Sequence, residues 1–308
     1  MDRHLEHTYQ SQHITVLLKE AVEYLNCQSG QHYLDFTFGG GGHSEAILKQ
    51  TAPLGIVDAF DKDAQAIASY NNDALLGKRL FIHHQTMSQV PHWLDQQQSW
   101  SKYSGALIDC GVSSFQLDHP GRGFSYMHDG PLDMRMDNQS GMTAKQLILK
   151  SSEQDLKRII KDYGEENFAG RIARTIKERQ AQLISTQDLV DCIVRAIPDF
   201  VKGKKKQAVL SRVFQAIRIA VNEEMREIEL VLGHLCENLK AMARIVVITF
   251  HSIEDRLVKQ LFKEKEKHGY VKRINKKVIV PSEEEIAFNP RSRSAKMRVV
   301  ECLGGAVS

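Results

Sequence analysis

A run of four consecutive glycines, Gly39 to Gly42, constrains this chain more than any other feature. The run follows an apolar, β-prone segment over 33–38, and a helical pattern begins at once with Glu45-Ala46-Ile47-Leu48. Glycine lets the backbone adopt positive φ and approach a ligand closely, and a helix N-terminus offers unpaired N–H groups. The order strand, glycine turn, helix therefore predicts a cradle for a nucleotide or cofactor. A tight turn without a ligand is the alternative that this pattern leaves open.

The spacing around the glycines disfavours ligands that contain a pyrophosphate. The dinucleotide fingerprint G-x-G-x-x-G/A would require Gly or Ala at position 44 or 45, where Ser44 and Glu45 stand. A phosphate-binding loop would require a lysine after the turn, but the sequence continues Gly42-His43-Ser44. A ligand with an adenosine but no phosphate, such as S-adenosylmethionine, has neither requirement. The sequence therefore favours that class of cofactor.

Two carboxylates at the ends of predicted strands are candidate ligand contacts. Asp61 follows the strand over 55–60, where an acidic group can accept hydrogen bonds from both ribose hydroxyls. Asp109 ends the strand over 105–109, beside the crevice in which ligands of doubly wound sheets bind. An ordinary strand-end carboxylate remains open for Asp61, and a helix or turn cap for Asp109. Asp63 is a candidate cap of the helix that follows.

The hydrophobic pattern predicts a mostly parallel sheet with helices on both faces, because strands alternate with helices. The predicted strands lie over 33–38, 55–60, 80–83, 105–109 and 243–250, and segments over 64–71 and 85–103 are predicted as helical. From residue 113 to 138 the sequence predicts a loop, followed by helices over 143–150, 152–162, 165–180 and 186–196. A basic linker over 201–206, a helix over 209–232 and a second segment over 233–242 are expected next. We therefore expect a discontinuous α/β domain, residues 1–124 and 210–308, interrupted by a helical domain, residues 125–209.

Charge and composition favour some kinds of partner, site and location over others. Residues 1–124 contain 8 Lys/Arg and 13 Asp/Glu, whereas residues 256–298 contain 13 basic and 5 acidic residues. Such a basic second half would attract a polyanion, although a solvated charged surface has the same composition. The five cysteines are scattered without a C-x-x-C pair, which favours reduced thiols over disulfides and predicts no metal site. The start has no apolar signal segment and no apolar run nears about 20 residues, so we expect a cytoplasmic protein without a membrane helix.

Several stretches together resemble one family, the MraW/RsmH methyltransferases that act on cytosine N4 of small-subunit ribosomal RNA. The resemblance extends over residues 13–298, nearly the whole chain, and its most specific parts are the 122–137 run and the 250–256 run. The matching stretches include His13-Ile14-Thr15-Val16, Thr37-Phe38-Gly39-Gly40-Gly41-Gly42-His43-Ser44, Asp109-Cys110-Gly111-Val112-Ser113, Arg122-Gly123-Phe124-Ser125, Gly130-Pro131-Leu132-Asp133-Met134-Arg135-Met136-Asp137, Phe250-His251-Ser252-Ile253-Glu254-Asp255-Arg256 and Asn289-Pro290-Arg291-Ser292-Arg293-Ser294.

The resemblance implies a Rossmann-like class I methyltransferase sheet with an inserted all-helical domain, in an enzyme that uses S-adenosylmethionine. The cofactor contacts that it implies are Gly41, Gly42, His43, Asp61, Met87, Asp109 and Gln116. The family usually has Phe at the position of Met87. The implied partner is small-subunit ribosomal RNA or the assembling small subunit, whereas the sequence does not decide between a monomer and a homodimer.

The implied reaction is a direct displacement in which the cytosine amino nitrogen attacks the methyl group of the sulfonium. We hypothesise that Asp109, or a group in the 113–137 loop, accepts a hydrogen bond from that amino group. Cys110 is more typical of a small buried residue than of a nucleophile, and His251 faces either the site or a backbone carbonyl. Amino-methylation of DNA or another RNA, a non-catalytic RNA-binding assembly factor and, more distantly, an NAD oxidoreductase are the alternatives.

Overall fold

The computed structural model describes residues 15–72 and 74–305, without the side chains of Ser114 and Phe115. The stretch that begins at His13 therefore starts two residues outside the described part. Seven strands of the described residues form one sheet in the order β3-β2-β1-β4-β5-β7-β6. The strands are β1 (His32–Asp35), β2 (Ile56–Asp61), β3 (Leu80–His84), β4 (Tyr103–Asp109), β5 (Arg244–Thr249), β6 (Val271–Arg273) and β7 (Lys296–Cys302).

Strands β1 to β5 pair in parallel, and β7 pairs antiparallel with both β5 and β6. This is the Rossmann-like α/β sheet that the sequence predicts. The α-helices of the described residues are α1 (Leu18–Leu25), α2 (Gly42–Gln50), α3 (Ala64–Ala68), α4 (Val90–Gln96), α5 (Ser114–Asp118), α6 (Ala144–Lys150), α7 (Glu153–Gly164), α8 (Ala169–Glu178), α9 (Thr186–Ala196), α10 (Lys204–Val221), α11 (Glu224–Asn238), α12 (Ser252–Lys267) and α13 (Glu283–Phe288).

Successive residues of the strands face opposite sides of the sheet, and each side has its own apolar core. On β1, Tyr33 packs into one core and Leu34 into the other. A third core lies among α6 to α10 and the loop before them, from Phe124 to Ile217. The division of the chain into two domains stays a prediction. Its boundary after residue 209 falls inside α10, and residues from Leu210 to Ile217 also pack into the third core. No helix of residues 15–72 or 74–305 is both long and apolar enough to cross a bilayer.

Two predicted elements have wrong boundaries. The first strand ends at Asp35 rather than at 38, because the Asp35 carboxylate accepts a hydrogen bond from the Thr37 N–H and turns the chain. The helix predicted over 209–232 starts earlier, at Lys204, inside the predicted basic linker, and ends at Val221. There Asn222 bonds to the backbone of Met134 and Met136, and Glu223 adopts a left-handed φ of 49°. The sequence analysis had placed that break near Gly233, which lies inside α11.

Other elements differ from the prediction in their kind, their start or their presence. The predicted helical segment 85–103 contains only α4 and two single 3₁₀ turns, and the predicted loop over 113–138 contains the short helix α5. The helix predicted over 165–180 begins at Ala169. The sequence analysis did not predict α13, β6 or β7.

Candidate functional site

A cavity of about 460 Å³ lies at the carboxyl edge of the parallel strands. This volume is typical of small-molecule sites, and the carboxyl edge is where doubly wound sheets bind ligands. Two sets of residues that line it differ in character. The first, called the turn wall, consists of Phe38, Gly39, Gly42, His43 and Asp61. The second, called the helix wall, consists of Ser211, Arg218, Glu224, Glu227 and Glu254 from α10, α11 and α12.

The glycine turn is shaped by the side chains packed against it. A Cβ added to Gly42 would lie 1.9 Å from Thr15 Oγ1, so no larger residue fits there without a shift. Gly41 has a φ of +81°, and a Cβ at this position would lie 2.8 Å from the Tyr70 ring. Its N–H donates to the Phe38 carbonyl at 2.8 Å. Gly39 and Gly42 line the cavity, whereas Gly41 lies outside its lining, so the expected contact of Gly41 with a cofactor stays a prediction.

A buried carboxylate that the sequence analysis missed holds the turn in place. Asp35 is fully buried and accepts hydrogen bonds from Ser44 Oγ at 2.6 Å and from the Thr37 N–H at 3.1 Å. Burial raises the pKa of Asp35 to about 6, although both hydrogen bonds act against the shift. Asp35 thereby ties the end of β1 to the first turn of α2. An acidic residue inside an apolar strand run was the signal that could have identified it.

The Asp61 carboxylate links the glycine turn to the segment before α3, because it accepts a backbone hydrogen bond from each. Its Oδ2 accepts from the Gly39 N–H and its Oδ1 from the Asp63 N–H, both at 2.8 Å. Burial raises the pKa of Asp61. Each oxygen keeps a lone pair, so the carboxylate can still accept bonds from two ligand hydroxyls. The predicted cap is confirmed: Asp63 is the N-cap of α3 and accepts from the Gln65 N–H at 3.0 Å.

Asp109 has a buried oxygen, Oδ1, without a hydrogen-bond partner among the described residues. Its N–H donates to Thr37 Oγ1 at 2.7 Å, and its Oδ2 lies 3.8 Å from His43 Nδ1, beyond hydrogen-bond distance. His43 Nε2 lies 3.2 Å from the Val16 carbonyl and is therefore assigned the ring proton. Burial, followed by the charges of Asp35 and Glu254, raises the pKa of Asp109 well above its ordinary value. A neutral carboxyl group can both donate and accept a hydrogen bond.

The remaining predicted contacts also line the cavity, but one of them already has protein partners. Gln116 Nε2 donates to Asp63 Oδ2 at 2.8 Å, and Gln116 Oε1 accepts from the Ser113 N–H at 3.0 Å. Arg122 donates to the same oxygen of Asp63 at 2.9 Å. Met87 begins a 3₁₀ turn after β3 and offers an apolar surface to the cavity. Gln116 therefore stabilises the side of the cavity through its hydrogen bond to Asp63, whether or not it also contacts a ligand.

The helix wall is a network of charges that sequence reasoning did not find. Arg218 donates to both carboxylate oxygens of Glu224 at 2.8 Å. Glu254 is fully buried, and its Oε2 accepts from the Phe250 N–H at 2.8 Å. Burial acts to raise the pKa of Glu254, but the adjacent His251 ring, the charge of Arg218 and the Phe250 N–H outweigh it, so that the pKa is lowered.

His251 caps α12 rather than facing the cavity. Its Nδ1 accepts from the Glu254 N–H at 3.3 Å, which makes His251 the N-cap of α12. His251 Nε2 and Glu254 Oε1 lie 3.0 Å apart, yet neither atom has a hydrogen bond of acceptable geometry. Ligating atoms of Glu224, His251 and Glu254 lie within 4.8 Å of one another. Because the Arg218 guanidinium already pairs with Glu224, its positive charge disfavours a metal ion there, and we interpret this cluster as ion pairing.

The low polarity of the cavity shifts the pKa values of two further side chains that line it. Burial lowers the pKa of Lys62, against the attraction of Glu224, Glu227 and Asp61. Burial also raises the pKa of Cys110 well above its ordinary value, which disfavours a thiolate nucleophile. The cavity thus brings together six of the predicted contacts, Gly42, His43, Asp61, Met87, Asp109 and Gln116. Of the network on the helix wall, the sequence signalled only Glu254, through the Phe250-His251-Ser252-Ile253-Glu254 stretch.

The chain is similar to one protein family over nearly its whole length. The model of the MraW methylase family matches residues 10–303. A "Ribosomal RNA small subunit methyltransferase H" from Carboxydothermus hydrogenoformans is 43% identical over 96% of this chain and 99% of the relative. A protein of the same name from Hydrogenovibrio crunogenus is 41% identical over 96% of this chain and 98% of its own. Among solved structures, a putative rRNA-methylase from Clostridium thermocellum covers 95% of this chain and 99% of its own, with 10% identity and a TM-score of 0.46.

Proposed function

Because the chain belongs to the MraW methylase family, we propose that it methylates N4 of a cytidine in small-subunit ribosomal RNA. The methyl donor is S-adenosylmethionine, as the sequence analysis expects. The shared name of the relatives supports the RNA class, since both are small-subunit ribosomal RNA methyltransferases. The observation that carries the proposal is Asp109, whose buried Oδ1 has no partner among the described residues and which borders the same cavity as the glycine turn.

The turn wall fits the adenosine part of such a cofactor. Asp61 is placed to accept hydrogen bonds from the ribose hydroxyls, and its negative charge would repel a pyrophosphate. Met87 offers an apolar surface to the adenine, and the first turn of α2 brings Gly42 and His43 to the cavity. These roles are proposals that rest on the resemblance and on the position of each residue in the cavity.

The chemistry requires alignment more than covalent catalysis. S-adenosylmethionine supplies an electrophilic methyl group on a sulfonium. In a direct displacement, the bond that N4 forms to the methyl carbon would replace the carbon–sulfur bond, whose electron pair would stay with the sulfur. The amino lone pair is delocalised into the ring, so Asp109 assists by accepting a hydrogen bond from an N4–H through its carboxyl oxygen. The N4 proton then leaves to solvent.

The target cytidine must leave its stack to reach Asp109, because the Oδ1 atom of this residue is buried in the cavity. Single-stranded or locally opened RNA is therefore the favoured substrate form. The basic second half of the chain, with 13 basic against 5 acidic residues over 256–298, would hold the phosphates.

The direct test is methyl transfer from labelled S-adenosylmethionine, offered in parallel to small-subunit particles, free ribosomal RNA and duplex DNA. We expect label in the ribosomal RNA only, and mass spectrometry of the nucleosides to identify N4-methylcytidine. Label in DNA or in another nucleoside would replace the proposal with the alternative amino-methyltransferase. Cofactor binding without any transfer would favour the non-catalytic assembly factor.

Replacing Asp109 tests its role in the reaction. We expect Asp109→Ala to lower kcat by about 100-fold or more, because the acceptor for the amino group is lost. Asp109→Asn should retain a larger share of the wild-type kcat than Asp109→Ala, since an amide, like the neutral carboxyl group, has a carbonyl acceptor and a donor. Exposed Asp95→Ala is the control and should leave kcat unchanged. An Asp109→Ala variant with normal kcat and weakened cofactor binding would reduce Asp109 to a cofactor contact.

A further inference from the structure

One rim of the cavity carries an exposed aromatic ring, followed within five residues by two arginines. This rim consists of α13 and the 3₁₀ turn Pro290–Ser294 that follows it. Its residues Asn289, Arg291 and Ser294 line the cavity. Phe288, immediately before Asn289, is 76% exposed, and Arg293 is exposed as well.

The rim is fixed to the rest of the protein at two points. Glu285 Oε1 accepts a hydrogen bond from the Leu17 N–H at 2.8 Å. Arg291 donates to both oxygens of Asp118 at 2.5 and 3.2 Å, which joins the rim to the end of α5. Both anchors lie beside residues that line the cavity, Val16 and Leu117. The ring of Phe288 is therefore presented from a supported segment.

The stretch of chain that follows Phe288 is basic, whereas the three glutamates of α13 precede it. Residues 289–298 contain four basic residues and no acidic residue. The acidic first turn of α13 lies at the opposite end of that helix from Phe288, where it complements the helix dipole. An exposed aromatic ring with neighbouring guanidinium groups is the combination on which unpaired bases stack and phosphates bind.

We propose that Phe288 is a stacking platform for a base next to the target nucleotide, in single-stranded RNA that Arg291 and Arg293 hold by its phosphates. The proposal rests on the proposed function for its RNA partner. A base that leaves its stack to enter the cavity deprives its neighbour of a stacking partner. The ring of Phe288, one residue from the cavity lining, replaces that partner. Arg291 can keep its bonds to Asp118 and still donate to a phosphate, because a guanidinium has five N–H donors and the pair uses only two of them.

The test compares Phe288→Ala, Phe288→Trp and the control Leu54→Ala by fluorescence titration. The probes are a single-stranded RNA of about 12 nucleotides with one central cytidine and a duplex of the same sequence; base–aromatic stacking is worth at least about fivefold in affinity. Leu54 is a suitable control because it is 72% exposed and precedes the amino end of β2, away from the cavity. Thermal unfolding and cofactor affinity are measured for every variant.

We expect Phe288→Ala to weaken single-strand binding by at least about fivefold and to leave duplex binding and cofactor affinity unchanged. Phe288→Trp should bind like the wild type, and Leu54→Ala likewise. Equal losses for single strand and duplex, or no loss for either, would overturn the platform. So would a concentration-dependent dimer that Phe288→Ala dissociates without changing RNA affinity, since the ring would then bind protein.

The binding assay needs no methyl transfer, so it separates this inference from the proposed function. An enzyme that methylates a different nucleoside would still show the selective loss on Phe288→Ala, and the platform would stand. A wild-type protein that methylates N4 of cytidine but shows no such loss in the variant would retain the proposed function without the platform.

Discussion

The two walls of the cavity orient their charged groups by different means. On the turn wall, the Asp61 carboxylate accepts two backbone N–H groups, and Asp35 behind it accepts an N–H and a serine hydroxyl. Neither acid has a cation as a hydrogen-bond partner among the described residues. On the helix wall, the charges are held by each other: Arg218 pairs with Glu224, and the charges of Arg218 and His251 act on Glu254.

The turn wall is therefore fixed by local contacts, whereas the helix wall is fixed by contacts between separate helices. The turn wall depends on neighbours in sequence, so a few backbone amides and tight glycines fix it. The helix wall depends on side chains of three helices, and burying such charges is costly unless every one is paired. A change in the helix wall should therefore be felt mainly as lost stability, and a change in the turn wall mainly as altered shape.

The largest expected effect is on the helix wall. Arg218→Met leaves Glu224, which is nearly fully buried, without the guanidinium that binds both of its oxygens. Removing one partner of a buried ion pair typically costs about 3–5 kcal/mol, and urea denaturation should show a loss of free energy of unfolding in that range. The double variant Arg218→Met with Glu224→Met should recover most of it, because no unpaired charge remains.

An exposed pair in the same region is the matched control. Arg226 and Glu223 lie 2.9 Å apart, with 70% and 60% of their side chains exposed. Arg226→Met should cost less than about 1 kcal/mol. Similar losses for Arg218→Met and Arg226→Met would contradict the description of the helix wall as a buried network.

A smaller effect is expected on the turn wall, where shape rather than charge is disturbed. Gly42→Ala places a Cβ against Thr15 Oγ1, and such overpacking typically costs about 1–3 kcal/mol. We expect the variant to lose stability in this range and to bind S-adenosylmethionine more weakly, as measured by calorimetry. Thr15→Ala in the same chain should restore part of both, because it removes the nearest atom.

Gly233→Ala is the control for this substitution. Gly233 lies within α11, and an added Cβ would meet nothing within 4 Å. This change should stabilise the protein by about 0.5–1 kcal/mol, since alanine loses less conformational entropy in a helix. If Gly42→Ala caused no loss of stability either, the turn would have space for a Cβ at residue 42, which would contradict the close contact with Thr15.

The same contrast explains how much the sequence could predict. The glycine turn, Asp61 and Asp109 could be identified because their roles depend on local order: strand, turn, helix, and the ends of parallel strands. Arg218, Glu224 and Glu254 could not be assigned together, because their proximity arises from the packing of α10 to α12. The break between α10 and α11 was missed for a similar reason, since Asn222 bonds to a loop more than 80 residues earlier in the chain. A local pattern contains no information on such a partner.

The smallest predicted effect is on the pH dependence of stability. It has opposite signs for Asp35, behind the turn wall, and for Glu254 on the helix wall. The pKa of Asp35 is raised to about 6, so its stabilising contribution is complete below the unfolded pKa near 4 and is lost as the pH rises through 6. Wild type should therefore lose about 1 kcal/mol relative to Asp35→Asn between pH 5 and 7.5, as measured by urea denaturation. The lowered pKa of Glu254 predicts the reverse, because its stabilising contribution is lost as the pH falls, so wild type should lose stability relative to Glu254→Gln on acidification. If both variants shifted the pH dependence in one direction, the distinction between carboxylates held by neutral donors and carboxylates held by cations would fail.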